Sequence, residues 1–295
     1  MSRSPASDSQ VVPIPLPVSK EDLSALVGRA LEEDLGQGDL TTRLTVPEKT
    51  LARGTLLAQQ TLVVAGLPVA AEVFRALDPG CVWEARVEEG AEVGSGSALA
   101  VVGGPARSLL AGERVALNFL QHLSGIATLT RQLKRKLAGL EARLLDTRKT
   151  TPGLRSLEKY AVLVGGGRNH RLRLDDGILI KKNHVRLAGS VRAAVQNALN
   201  GRPKGFEIEV EVSSLAELDE AIAARADAVL LDNMSPAQVS ECVARARGRV
   251  RLEVSGGINS DNIRAYAETG VEAVSAGVLT HSAPAVRIHF LVEPS

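Results

Sequence analysis

Eleven lysines and arginines fall between residues 143 and 186 against four acids, a local balance of +7 in a chain whose formal net charge is only +1. The rest of the chain therefore sums to −6. A charge run of this kind is most simply a solvated face. Here it is interleaved with Thr-Thr-Pro-Gly (150–153), Gly-Gly-Gly (165–167) and the ends of predicted strands, devices that bring backbone close to a ligand. The ligand expected of such a run is a polyanion. In DTRKTTPGLR (146–155), Arg148 offers a planar fork suited to a carboxylate and Lys149 a point charge suited to phosphate or pyrophosphate. GGGRNHR (165–171) adds His170 and Arg171 as donors, and its three glycines read as positive-φ positions with exposed amides. No Gly-Lys-Ser/Thr follows, so this is not a Walker loop. Lys181 closes the next strand-like run.

The acids complement this pattern. In FEIEVEV, Glu207, Glu209 and Glu211 alternate with Ile208, Val210 and Val212, so one strand face is wholly acidic and needs cations or a metal-bound ligand. Glu211, nearest the strand end, is the functional candidate, and Glu207 is assigned to a structural ion pair. Asp232 ends an apolar strand, where its carboxylate can coordinate Mg²⁺, hold ribose hydroxyls, or cap the helix that follows. Ser255-Gly256-Gly257 and Ala276-Gly277 each sit between a strand and the next segment, as amide donors that cradle phosphate.

Several elements must position these residues. Strand-like runs at 143–147, 177–182, 206–212, 228–233, 250–257 and 272–277 alternate with helical segments at 189–200, 214–225, 235–247 and 259–268. Ser235-Pro236 reads as a cap and first-turn proline, and Asn259 as a cap. Strands and helices at this pitch imply parallel βα units. A barrel is favoured over an open sheet because charged or special residues end nearly every strand, as at the C-terminal face of a barrel. Upstream, Ser19 caps a helix that Gly36 stops, residues 51–104 read as small strands and turns beside a helix near 68–77, and 108–139 read as a long joining helix. The predicted limits are a flexible lead-in over 1–18, an N-terminal domain over 19–125 on which 283–295 packs back, and a catalytic domain over 126–282.

Composition narrows the class. With 44% hydrophobic and 23% charged residues the chain is globular, and with 2% aromatics its core is aliphatic. The near-zero net charge and the lack of a long apolar run argue against nucleic-acid and membrane partners. Cys81 and Cys242 lie far apart without zinc spacing, and residues 1–20 lack the apolar segment of a secretory signal. A cytoplasmic protein is expected. His122 and His289 are read as packing or surface histidines.

DTRKTTPGLR, GGGRNHR, LIKKNH, EVEV, LLDN, VSGG and SAGVLTHSAP, in this order and spacing, resemble the quinolinate phosphoribosyltransferase family, as do EEDLGQGDLTT (32–42) and ERVALNFLQHLSGIAT (113–128). The pattern departs at Lys182, where the family often carries an acid; of the two lysines, Lys181 is assigned to the ligand. The resemblance implies an α/β protein, an incomplete (β/α) barrel with a smaller α+β sandwich-like N-terminal domain. It implies a pentosyltransferase that joins quinolinate to phosphoribosyl pyrophosphate, releasing pyrophosphate and CO₂ and giving nicotinate mononucleotide for NAD. Carried over motif by motif, Arg114, Arg148, His170, Arg171 and Lys181 surround quinolinate, with Arg114 supplied by the neighbour in a homo-oligomer, most simply a dimer. Lys149, Glu211, Asp232, Ser255, Gly256, Gly257, Ala276, Gly277 and His281 hold phosphoribosyl pyrophosphate. Lys149, Glu211 and Asp232 are the catalytic set, with Glu211 and Asp232 as the Mg²⁺ carboxylates and no organic cofactor. The rivals are another phosphoribosyltransferase of similar fold, acting on nicotinate or serving a molybdenum-transport locus, where a monocarboxylate needs fewer cations, and a non-catalytic phosphate-binding barrel.

Overall fold

The computed structural model describes residues 14–295. Residues 1–13 of the expected lead-in lie outside the described residues, whereas Ile14, Leu16 and Val18 pack against the core. The Ser19 side chain accepts from the Asp22 N–H and starts α1 (Lys20–Leu35), whose Leu23, Val27 and Leu31 are buried before Gly36 ends it at φ 51. After α2 (Leu40–Thr45) come β1 (Leu51–Ala58), β2 (Leu62–Val63), α3 (Leu67–Leu77), β3 (Val82–Ala85), β4 (Glu92–Val93) and β5 (Ala98–Pro105). The predicted joining helix is α4 (Ala106–Lys136), 31 residues long.

Beyond α4 the chain runs β6 (Arg143–Leu145), α5 (Arg155–Val164), β7 (Ile178–Ile180), α6 (Lys182–Ala188), α7 (Val191–Gly201), β8 (Ile208–Val212) and α8 (Leu215–Ala223). It continues with β9 (Ala228–Asp232), α9 (Pro236–Ala246), β10 (Arg251–Ser255), α10 (Ile263–Ala267), β11 (Ala273–Ser275), α11 (Val278–His281) and β12 (Ile288–Pro294). Ser235 caps α9 with Pro236 in the first turn, as the sequence predicts. The α10 start differs: Asn262, not Asn259, precedes the helix, because the Asn259 side chain accepts from the Asp261 N–H in a local turn.

The sheets separate two architectures. An antiparallel sheet in the order β12-β1-β5-β3 belongs to the N-terminal part, with β2 and β4 as a small second pair. Six strands in the order β6-β11-β10-β9-β8-β7 form the second sheet, and each of its pairings is parallel. Its end strands β6 and β7 do not pair, so the barrel is incomplete, and the Leu145–Arg168 bridge lies at that seam. Along β8 the apolar residues Ile208, Val210 and Val212 are fully buried, while Glu209, and the exposed Glu207 just before the strand, line a cavity at the end where the barrel strands begin.

The last strand, β12, pairs along the whole of β1, from Ala52 opposite Pro294 to Ala58 opposite Ile288. Phe290 then lies over Gly54, where a Cβ would meet the ring at 2.1 Å. Gly54 is therefore small because the C-terminal strand must lie flat on β1. Gly54→Val is expected to displace Phe290 and destabilise the protein by about 1–3 kcal/mol. Thermal unfolding checks this, and an unchanged Tm would mean that the ring moves aside freely.

Candidate active site

The C-terminal ends of the barrel strands bring the sequence-predicted residues into three groups. The first is cationic. Arg148, just after β6, and Arg171, in the loop that crosses the seam, each bury a guanidinium Nε with no hydrogen-bond partner among the described residues. Arg171 is anchored by donating from Nη1 to the Gly177 carbonyl at 3.0 Å. Burial, then the neighbouring Arg148 charge, holds its guanidinium below its ordinary value. Two half-buried cations close together, each with a buried Nε donor to spare, make a seat for a multiply charged carboxylate.

His170 joins this group through its backbone and ring. Its N–H donates to Asp146 Oδ1 at 2.8 Å, and its carbonyl accepts from Lys159 Nζ at 2.8 Å. The Arg171 N–H donates to Nδ1 at 2.7 Å, which leaves the neutral ring's proton on Nε2, facing Glu209 Oε2 at 3.0 Å. Burial opposes the charged ring, yet the Glu209 hydrogen bond and the Glu253 and Glu209 charges raise it above its ordinary value.

The second group is acidic. Glu211 and Asp232 face each other across β8 and β9; burial, then the Asp232 charge, raises the Glu211 carboxyl, with Lys181 and Lys182 pulling it back. Lys182 donates to Asp232 Oδ2 at 2.6 Å. Asp232 does not cap α9, since Ser235 does. An all-oxygen pair of carboxylates at a strand mouth fits Mg²⁺, which takes one or two carboxylates and fills its shell with substrate phosphates and water. His170, Glu209 and Glu253 also bring potential ligand atoms within 4.8 Å of one another. The ring tautomer argues against a metal there, because Nε2 carries the proton.

The third group suits phosphate. A Cβ on Gly277 would meet His281 at 3.0 Å and Lys149 Cδ at 3.1 Å, so these three residues are in contact, and Thr280 Oγ1 ties the loop by donating to the Lys149 carbonyl at 2.7 Å. Beside Ser255, Gly256 (φ 103) and Gly257 (φ 65) turn in the left-handed region, and a Cβ on Gly256 would strike Asn233 Oδ1 at 2.3 Å. The amides of Gly256, Gly257 and Gly277 make no hydrogen bond among the described residues, whereas that of Ala276 is spent on the Leu145 carbonyl. Ala276 therefore supplies shape, not the amide donor expected of it. Arg114 lies apart, exposed on α4 with no ion pair among the described residues.

The glycine triplet is also used differently from its sequence reading. The amides of Gly165, Gly166 and Gly167 are all taken by carbonyls of α5. Cβ atoms on Gly165 and Gly167 would strike Thr130 of α4 at 2.5 and 2.9 Å. The triplet lets the turn press against α4 and offers no donors to an anion.

Comparison with known proteins decides the family. The quinolinate phosphoribosyl transferase C-terminal domain profile matches residues 126–290 and the N-terminal domain profile matches residues 39–124. This chain belongs to the quinolinate phosphoribosyltransferase family. It is 45% identical over 264 residues to a nicotinate-nucleotide pyrophosphorylase (carboxylating) from Mycobacterium leprae, covering 87% of this chain and 92% of that protein. A quinolinate phosphoribosyltransferase (decarboxylating) from Nicotiana tabacum is 35% identical over 92% of this chain and 83% of its own. The nicotinate-nucleotide pyrophosphorylase of Francisella tularensis superposes with a TM-score of 0.90 at 39% identity, over 94% of this chain and 98% of that one. The chain is accordingly an enzyme, a decarboxylating quinolinate phosphoribosyltransferase that forms nicotinate mononucleotide in NAD biosynthesis.

Within this phosphoribosyltransferase, three contributors escaped the sequence reading. Lys182 shares the acidic group with Lys181. Glu253, from β10, enters the lumen behind His170. His122, read as a packing or surface residue, donates or accepts through Nε2 at 2.8 Å to Glu158 Oε1, and Glu158 Oε2 accepts from the Thr151 N–H at 3.1 Å. Glu158 is completely buried and so ties α4 to the loop that carries Arg148 and Lys149. Only the helical register of Glu158 against a buried face could have signalled it.

Glu158→Ala leaves the Thr151 amide without its acceptor and is expected to cost about 2–4 kcal/mol. A lower urea midpoint at unchanged slope checks this, and an unchanged midpoint would count against the tie. Burial, then the Glu209 charge, pushes the Glu253 carboxyl up to about 7. A carboxyl raised in the folded state binds its proton better there than when unfolded, so its stabilising contribution is complete in acid and is lost as pH rises through the folded value. Glu253→Gln is therefore expected to become more stable relative to the parent enzyme between about pH 5 and about pH 8. Paired melting curves across that range check the sign, and a constant difference in Tm would contradict it.

Proposed function

We propose that the three groups divide the two substrates between them. Arg148, Arg171 and Lys181 hold the carboxylates of quinolinate, joined by Arg114 of the partner subunit, and His170 forms the wall behind them. Lys149, His281, Ser255 and the amides of Gly256, Gly257 and Gly277 hold the phosphates of phosphoribosyl pyrophosphate, with Ala276 shaping the turn. Glu211 and Asp232 face the ribose. The observation that carries this reading is the pair of buried Arg148 and Arg171 Nε donors left without partners. A dicarboxylate satisfies both, whereas a monocarboxylate such as nicotinate leaves one guanidinium unmatched.

In this arrangement the arginines fix the pyridine nitrogen toward C1 of the ribose, converting a two-substrate encounter into a positioned one. As the bond to pyrophosphate breaks, positive charge develops on the ribose, and the Glu211 and Asp232 carboxylates stabilise it. Lys149 and the free amides offset the charge of the departing pyrophosphate. Mg²⁺, held by Glu211 and Asp232 directly or through water, supplies charge neutralisation to the phosphates when bound. Once the ring nitrogen is quaternary it accepts the electron pair left at C2, so loss of the 2-carboxylate as CO₂ needs no protein nucleophile and no organic cofactor. The arginines then serve to orient the ring.

The domain limits proposed are 19–125 and 126–282, with 283–295 returned to the first domain by the β12–β1 pairing. The site is shared in a homodimer, a reading supported by the exposed, unpaired Arg114 on α4. No described helix is long and apolar enough to cross a bilayer. The two unpaired cysteines fit the cytoplasm, although a rice relative is named as chloroplastic.

Mixing Arg114→Ala with Lys149→Ala enzyme tests the shared site. Each variant alone is expected to be nearly inactive, and random mixed dimers to regain about a quarter of parental activity, with CO₂ and pyrophosphate released in equal amounts. No recovery in confirmed mixed dimers would overturn the shared site.

A further inference from the structure

Lys182 opens α6 just after β7, and the strand order sets β8 between it and β9. Its four-carbon stem crosses the end of β8, and Nζ donates to Asp232 Oδ2 at 2.6 Å. The same oxygen accepts from Asn233 Nδ2 at 2.9 Å. Asn233 is itself held in place, because its backbone N–H donates to the Ser255 carbonyl at 2.9 Å and its side chain lies against Gly256. Asp232 therefore carries one fixed donor and one that is free to leave.

The Lys182 side chain is 46% exposed, against 18% for Asp232. A lysine in water is a compact charge on a flexible stem, and an exposed pair of this kind opens at little cost. On an ordinary surface the pair would be a solvated contact and nothing more. Here its acid is one of the two carboxylates that suit Mg²⁺, and Glu211, the other, ends the strand that the lysine crosses. An ammonium and a divalent cation on one carboxylate oxygen repel each other. One must leave for the other to bind.

We propose that Lys182 is a displaceable counterion for the metal carboxylates: its ammonium occupies Asp232 in the free enzyme and swings into solvent when a divalent cation takes that oxygen. The inference rests on the reading that Glu211 and Asp232 hold Mg²⁺. With Lys181, which also faces Glu211, it balances the two acids and relieves their mutual repulsion. The free enzyme then binds metal weakly, since each cation that enters must first displace a hydrogen-bonded ammonium.

Mn²⁺ serves as the probe, because it takes the same oxygen ligands and its unbound fraction is read directly by electron paramagnetic resonance. In the intact enzyme without substrates, Lys182→Met keeps the stem but removes the charge and the hydrogen bond. It is expected to bind Mn²⁺ about tenfold more tightly than the parent. Lys182→Arg returns a cationic donor to Asp232 and is expected to stay within about threefold of the parent. Lys181→Met removes an equal charge that makes no ion pair with Asp232, and is expected to tighten Mn²⁺ by less than about threefold. Unchanged Mn²⁺ affinity in Lys182→Met overturns the proposal. Equal tightening in the two methionine variants also overturns it, since general charge rather than occupancy of Asp232 would then be at work, and so does arginine behaving like methionine. Asp232→Asn is measured in the parent and in Lys182→Met, and unaltered affinity in both sinks the metal-site reading instead. Should Lys182→Met fail to fold, Lys182→Ala replaces it: the same tightening is expected, and its absence overturns the proposal.

Discussion

Six parallel strands are too few to close a barrel of this kind, and the open seam between β6 and β7 must be filled by irregular chain. Residues 168–171 fill it, and one buried ion pair holds them there. Asp146 and Lys159 are both almost wholly inside, bonded to each other, and both reach the His170 backbone, one accepting from its N–H and the other donating to its carbonyl. Burial raises the Asp146 carboxyl to about 6, with Lys159 opposing it, so the pair is kept charged by its partner. Irregular backbone inside a barrel wall would otherwise leave polar groups unsatisfied. Here those groups are the anchor, and Arg171 and the ring of His170 take their directions from it.

The barrel also reverses the usual distribution of polarity. Its strands are greasy on the side that meets the helices, while Glu207, Glu209, Glu253, Arg143 and Arg251 line a cavity at the end where the strands begin. Glu207 is matched by Arg251 at 2.5 Å, the structural pairing assigned to it from the alternation in β8. A polar cavity costs packing, and this one opens where the barrel strands begin, at the end away from the mouth where the substrates meet.

How much of this was legible in the sequence follows from how local each signal is. The strand runs and their special terminal residues are local, so the six barrel strands appear where periodicity and caps put them, and Arg148, Lys149, Glu211 and Asp232 fall at strand ends. The acidic face of β8 is equally local, although its direction, toward a hollow axis, is not. The Gly165–Gly167 triplet misled because its reason lies in Thr130, some thirty-five residues earlier on α4. His122 and Glu158 meet only after α4 and α5 pack, and the spent amide of Ala276 depends on Leu145 from another strand. Lys181 and Lys182 are indistinguishable by type, and only the turn into α6 aims the second at Asp232. Residues whose roles depend on a partner far along the chain are the ones that pattern alone does not assign.

The strand that completes the N-terminal sheet is made of the last residues of the chain, with Ala52 opposite Pro294. During synthesis on the ribosome, β1 and β5 can emerge and pair, but β1 must wait for β12, which follows the whole barrel in the sequence, before its other edge is covered. The barrel, built from neighbouring βα units, is free to form in the meantime. Translation therefore delivers a nearly finished catalytic half attached to an exposed sheet edge, open to pairing with another chain until it is covered. Emergence of β12 becomes the event that seals the sheet.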